Sequence, residues 1–366
     1  MLYALKRSVL DRRPSPGALD MSTRRSHPVD RSRLSRRRFH SVIAGAVAGA
    51  TSIPAASQAL ADAAATGGPR TSETLAGLLH GSLSADQRRT ICFPWDHVHP
   101  KFGLLRTRVA NNWNVTEPAI AGDFFTADQR RLIRDIFEQL IAPEWHGRFD
   151  KQLEDDTGGF GHGQSIALIG EPGSGKFQFL LTGRHMTLRC DGDSAEHVAF
   201  GGPIFYGHDA GGDTESPDHP GNVFWSQAVA ANGVYAMLDE RQRTQSLVGT
   251  LPRENAIAFR GAAATPAGLP LADLTQDQRA EMERVLATLL EPFRAGDRDE
   301  ARRCLAKQGG LDACRLAFYR QGDLGNDGIW DCWRIEGPSF VWHFRGAPHV
   351  HVWVNIADSA EVATNA

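Results

Sequence analysis

The chain has 366 residues, 41% of them hydrophobic, with 40 Lys+Arg against 43 Asp+Glu and a formal net charge of −3; this is an ordinary composition for a soluble globular protein. Without residues 1–61, which hold 11 basic and 3 acidic residues, 29 basic and 40 acidic residues remain. So acidic a surface repels phosphate backbones and argues against nucleic acid as a partner.

In chain order, Ser35-Arg36-Arg37-Arg38-Phe39 comes first, then a mildly apolar run over residues 42–53 and the small-residue triplet Ala59-Leu60-Ala61. This pattern resembles a twin-arginine export signal cut after Ala61. It predicts the twin-arginine translocase as a partner during export and a periplasmic or extracellular destination. Met21 is an alternative start. The apolar run is shorter than the roughly 20 residues that span a bilayer, and no later segment is apolar enough to cross a membrane, so no stable membrane anchor is expected. The expected organisation is an export signal over 1–61, an N-terminal extension over 62–116 and a main domain over 117–366.

Four segments share a helix-start pattern, at Ser84-Ala85-Asp86-Gln87, Thr126-Ala127-Asp128-Gln129, Asp239-Glu240-Arg241-Gln242 and Thr275-Gln276-Asp277-Gln278. In three of them a Ser or Thr precedes an acidic first turn, as at an N-cap. Their irregular spacing argues against a solenoid repeat. Leu132, Ile133, Ile136, Phe137 and Leu140 follow a helical period, as do Met282, Val285, Leu286, Leu289 and Leu290. A further helix is expected between residues 222 and 248, with Val229, Val234, Met237 and Leu238 as its apolar residues. Strands are expected over 165–169, 176–181 and 185–190 as a meander, then over 204–206, 316–320 and 329–336, and in a closing hairpin. Strands in blocks, without regular strand–helix alternation, predict an α+β fold: one globular domain with largely antiparallel sheet and packed helices.

Residues 170–177, Gly-Glu-Pro-Gly-Ser-Gly-Lys-Phe, satisfy the glycine and lysine positions of a phosphate loop. Phe177 replaces the hydroxyl residue that would hold magnesium, and a strand follows where a helix N-terminus is needed. The segment therefore reads as a hairpin turn. Of the five cysteines, Cys304 and Cys314 flank Gly309-Gly310 and are the best-placed pair for a disulfide; buried free thiols are the alternative.

Residues 333–355 carry the most informative pattern. Phe340, Trp342 and Phe344 alternate with Val341, His343 and Arg345, and Val350, Val352 and Val354 alternate with His349, His351 and Trp353. Residues two apart on a strand share a face, so His349 and His351 project together, away from the valines. A hairpin through Arg345-Gly346-Ala347-Pro348 brings His343 into reach of that pair in one register and sends it to the other face in the next. Upstream, His185, Thr187 and Arg189 share a face, and His208 follows a Gly-rich strand. Two histidines on one strand and one from elsewhere form a recurring metal arrangement.

The segments GKFQFLLTGRHMTLRCDGD, AFGGPIFYGH and WRIEGPSFVWHFRGAPHVHVWVN resemble an uncharacterised, mostly bacterial family, domain of unknown function 3500, over roughly residues 83–356. Its motifs fall here on His185, Arg334, His349 and His351. The resemblance implies that His185, His349 and His351 work together, but names no reaction. This chain departs from the family where His343 replaces an acidic residue, and where Trp353-Val354-Asn355 replaces Trp-Arg-Asp.

Two functions follow. The first is an exported metalloenzyme, an oxidoreductase or hydrolase acting on a small molecule. His185, His349 and His351 would hold a divalent transition metal (zinc, copper or iron), with His343 or His208 as a further ligand. Arg184, Arg189 or Arg334 would meet an anionic substrate group, and Glu336 or Asp96 would act as a base. The second is a periplasmic binding or structural protein whose histidines only satisfy hydrogen bonds within a sheet.

Overall fold

The structure is a computed structural model that describes residues 71–192, 194, 197–211, 223–325 and 327–362. Residues 1–61, where an export signal and its cleavage site are expected, lie outside the described residues. Among the described residues, no helix is long and apolar enough to cross a membrane.

The fold is α+β and repeats one order of elements twice. The first half runs α1 (Ser72–Ser82), α2 (Ala85–Ile91), β1 (Cys92–Phe93), a small hairpin of β2 (Val98–His99) and β3 (Gly103–Leu104), then α3 (Ala127–Leu140) and α4 (His146–Thr157). It ends in a meander of β4 (Gln164–Glu171), β5 (Lys176–Gly183), β6 (Met186–Cys190) and β7 (Ile204–His208). The second half runs α5 (Trp225–Met237), α6 (Glu240–Ser246), β8 (Leu247–Val248), β9 (Leu269–Pro270), α7 (Gln276–Leu290) and α8 (Ala295–Lys307). Its meander is β10 (Arg315–Tyr319), β11 (Cys332–Gly337), β12 (Phe340–Arg345) and β13 (Val350–Ile356). The main sheet has the order β1-β4-β5-β6-β7-β13-β12-β11-β10-β8, with β9 beside β10. β1 joins β4, and β8 joins β10, in parallel; the meander strands pair antiparallel, and the halves meet at β7 and β13.

The four helix-start segments explain how each half closes. Ser84, Thr126, Asp239 and Thr275 are all N-caps, and the glutamine three residues on returns to the cap backbone, completing a capping box every time. The same glutamines then pair across helices. Gln87 and Gln129 bond each other, and they reach Phe124 O and Ser82 O. Gln242 and Gln278 do likewise, reaching Asp273 O and Met237 O. Each buried amide is thereby satisfied, as burial requires. The pattern that reads as four unrelated starts marks equivalent places in two halves.

One sheet face carries Val350, Val352, Val354, Trp342, Phe344 and Trp333, and it packs on the helices as the main core. The expected stripes of α3 and α7 are buried there. Residues 225–246 form two helices where one is expected; Val234 and Leu238 are buried, but Val229 and Met237 are exposed, because Trp225, Ala228 and Ala231 supply the inward face of α5. The opposite sheet face is covered by two irregular segments, one from each half. Residues 92–116 lay Leu105, Trp113 and Val115 over Ala167, Ile169 and Leu180. Residues 249–268 lay Ile257 over Phe205, Val341 and Trp353.

The phosphate-loop lookalike is the β4–β5 turn, where Glu171 pairs with Lys176. Gly170 takes a positive φ of 75°, and a side chain there would overlap the Lys176 carbonyl. Lys176 is exposed. Lys176→Ala should change stability by no more than about 0.5 kcal/mol, and added ATP should leave the melting curves of both proteins unmoved. The expected Cys304–Cys314 bridge is not formed. All five cysteines are free thiols, and Cys304 and Cys314 point at different carbonyls, of His197 and Gly310.

Candidate metal centre

The face of β13 that turns from the helices presents His351, and His349 immediately precedes the strand. His185 arrives from the β5–β6 turn of the other half, its backbone N–H donating to Asn111 O at 2.8 Å. It holds a positive φ of 53°, a conformation costly for a side chain of this size. The three rings meet over the β7–β13 pair. His351 Nε2 lies 2.9 Å from His349 Nε2 and 3.2 Å from His185 Nε2, and the three ligand atoms all fall within 4.8 Å of one another. Gly207, paired with His351, makes the room: a Cβ there would overlap Val350 O and touch the ring edges of His185 and His351 at 3.4 Å. Phe205 packs against the His185 and His351 rings, with centroids 6.4 and 5.2 Å away.

Two carboxylates orient the rings. Asp156, at the end of α4 with its side chain fully buried, accepts from His185 Nδ1 at 2.8 Å. It also accepts from Gln152 Nε2 at 2.7 Å and from the Asp209 backbone N–H at 3.1 Å. Glu254 accepts from His351 Nδ1 at 2.7 Å and from Trp353 Nε1 at 3.2 Å. Burial alone would raise the Glu254 carboxyl, but the His351 hydrogen bond and the charge of Arg345 hold it at about 2. Burial lowers His351 to about 4 despite its bond to Glu254, and burial, with His185 and Arg345, also lowers His349. With Nδ1 of His185 and His351 committed as donors, each neutral ring turns a lone pair inward from Nε2. Two lone pairs 3.2 Å apart repel unless a proton or a cation lies between them. One proton bridges one pair; three convergent nitrogens suit a metal ion. Nitrogens each about 2.0–2.1 Å from one zinc ion, at angles of about 90–110°, would stand about 2.9–3.4 Å apart, which matches both short separations. The three histidines could therefore hold a metal ion.

The remaining candidates separate. Arg184 lies at the rim, donating to Asp209 Oδ2 at 2.9 Å and standing 3.8 Å from Asp156. His343 does not join the trio. It shares their sheet face, but the register sets it opposite Trp353 and puts Arg345 opposite His351. It is fully buried, accepts from Arg334 Nε at 3.3 Å, and is held well below the usual histidine range by burial. His208 does not join either, because strand alternation puts it on the helix side of β7. There its Nε2 meets Asp155 at 2.9 Å, and its Nδ1 accepts from Val223 N–H at 3.4 Å. Arg334 and Glu336 sit beneath residues 249–268, Arg334 donating to Ala256 O at 2.9 Å and Glu336 accepting from Arg260. They make no contact with the trio. Asp96 is exposed, in the turn before β2.

Asp156 and Glu254 are missing from the sequence reading. Asp156 leaves a trace, because Glu154, Asp155 and Asp156 crowd the last turn of α4, where the helix dipole disfavours negative charge; histidines at two of the three offset that cost. Glu254 leaves none.

A family model described as a protein of unknown function, DUF3500, matches residues 73–355. No curated protein and no solved structure matches the chain. Because the match spans both halves and all three histidines, the chain belongs to the DUF3500 family of proteins of unknown function.

Proposed function

We propose that the protein is a metal-dependent enzyme, with His185, His349 and His351 as ligands to one divalent transition ion, zinc being the first candidate, and that it is exported by the twin-arginine route to act on a small molecule outside the cytoplasm. The observation that carries the metal reading is the convergence of three Nε2 atoms while carboxylates hold two of the opposite Nδ1 protons. Arg36-Arg37 and Ala59-Leu60-Ala61 support export. Three neutral imidazoles leave the full charge of the ion in place, and an ion so held supplies Lewis acidity and lowers the pKa of a bound water. That favours hydrolysis over redox chemistry. Asp156 and Glu254 keep the ring protons on Nδ1, Phe205 walls the rings on one side, and the half-exposed Arg184 is placed to meet an anionic substrate group.

Elemental analysis of purified, zinc-loaded protein should give one ion per chain and none in His349→Ala. Asp156→Asn and Glu254→Gln should each weaken zinc affinity by about 10–100-fold, measured by competition with a chelator. A panel of ester, amide and phosphoester substrates should reveal a hydrolysis that is lost on metal removal and restored by zinc. A wild-type chain that takes up no ion sinks the metal reading; an ion present without turnover sinks only the enzymatic one.

A further inference from the structure

The irregular segment that holds His185 at Asn111 also carries a second cationic centre. Arg189, on β6 and only 3% exposed, donates through both terminal nitrogens to the carbonyls of Arg106 and Arg108 and through Nη1 to Gln178 Oε1 at 3.3 Å. This pins the backbone of residues 106 and 108. Their own guanidiniums lie over aromatic rings, Arg106 over Trp95 at 4.8 Å and Arg108 over Phe102 at 5.8 Å, and the Lys101 ammonium lies over the same Phe102 ring at 5.3 Å. Nε of Arg106, Arg108 and Arg189 is buried without a hydrogen-bond partner.

Several basic side chains elsewhere in the chain are held by carboxylates. Arg134 meets Glu138 and Asp150, Lys151 meets Asp155, Arg279 meets Asp312, and Lys307 meets Asp358. Among the described residues Lys101, Arg106 and Arg108 make no ion pair, and exposed Asp96 nearby in sequence makes none with them. Lys101 and Arg108 share the Phe102 ring, with Arg106 two residues from Arg108 on Trp95; like charges on one ring repel, and an anion beside them offsets that cost. A guanidinium held over a ring by cation–π attraction spends no N–H group on that contact and keeps its fork of donors for two oxygens of an oxyanion. These ring contacts also hold the long side chains in advance, so less rotamer entropy is lost on binding.

We propose that Lys101, Arg106 and Arg108 form a binding site for a ligand bearing oxyanion groups (sulfate, phosphate or carboxylate), with Trp95 and Phe102 as the rings that hold the guanidiniums in place. The site does not depend on the histidine trio, so it stands or falls separately from the metal reading.

The test is isothermal titration of the whole purified protein with sodium sulfate as the single oxyanion and dextran sulfate as the polymer. The wild type should bind at least one probe, and the double variant Arg106→Gln/Arg108→Gln should lose roughly tenfold or more in affinity. Charge-conserving Arg106→Lys/Arg108→Lys should fall between the two. Melting temperature and zinc content, measured on the same samples, should match the wild type and so separate lost binding from lost folding. Sulfate alone sufficing assigns a single anionic group, and a need for dextran sulfate assigns a chain. Failure of the wild type to bind either probe, or equal binding by the double glutamine variant, overturns the proposal.

Discussion

Gly207→Ala should abolish stoichiometric metal uptake and destabilise the protein by about 1–3 kcal/mol, the usual range for overpacking a filled interior. The added methyl has no free volume to enter. On the backbone side it overlaps Val350 O, and on the open side it reaches the ring edges of both His185 and His351. β7 and β13 must part at the His351–Gly207 pair, the junction of the two halves and the floor under the trio. Gly249→Ala is the control, since a methyl there meets open space. Thermal melting with and without zinc, with elemental analysis, reads both effects. A Gly207→Ala protein that binds one ion per chain with unchanged affinity would mean that the rings are not held by this close approach.

Arg294→Met should cost about 2–4 kcal/mol, because it leaves two carboxylates without the cation between them. Arg294 joins the first turn of α8 to the first turn of α1, donating to Glu73 Oε1 at 2.7 Å, to Asp297 Oδ1 at 2.9 Å and to Ser72 Oγ. The magnitude is below that of a fully buried pair because the Arg294 side chain is 27% exposed. The loss should depend on pH. Burial works to raise Glu73, but the Arg294 hydrogen bond and charge bring it below its ordinary value of 4.5. A carboxylate lowered in the folded state contributes stability above its unfolded pKa and loses it on acidification. Burial pushes the other carboxylate, Asp297, up to about 6 against the pull of Arg294, so the gap between variant and wild type should be widest near neutral pH and narrow as pH falls first through about 6 and then through 4.5. Urea midpoints at several pH values test this; a gap that widens on acidification would contradict the ion-pair account.

Much of the fold is legible in the sequence because its signals are local. The four cap segments, the stripe of Leu132, Ile133, Ile136, Phe137 and Leu140, and the alternation through residues 340–354 each depend on side chains a few positions apart. The pairing of His349 with His351 follows from the same two-residue period, and the turn at residues 345–348 from its glycine and proline. The internal repeat is not legible, because it lives in hydrogen bonds such as Gln87 to Gln129 and in the mirrored sheet order, which unite residues far apart in the chain. His185 reaches the trio through such a long-range arrangement, and the family motif, not its spacing, groups it with His349 and His351. His343 and His208 fail for different reasons. His343 lies on the trio's face but two residues out of register, and His208 is on the wrong parity of its strand. Glu254 comes from an irregular segment with no periodicity to read, although it fixes the proton on His351.

The central claim is that His185, His349 and His351 hold one ion between their Nε2 atoms, and anomalous diffraction from crystals grown with zinc tests it most directly. The account predicts a single peak at the zinc edge about 2.0–2.1 Å from all three Nε2 atoms, with His185 Nδ1 still on Asp156 and His351 Nδ1 still on Glu254. A map from zinc-saturated crystals with no peak at that point, and the three rings hydrogen-bonded only to one another, would contradict it.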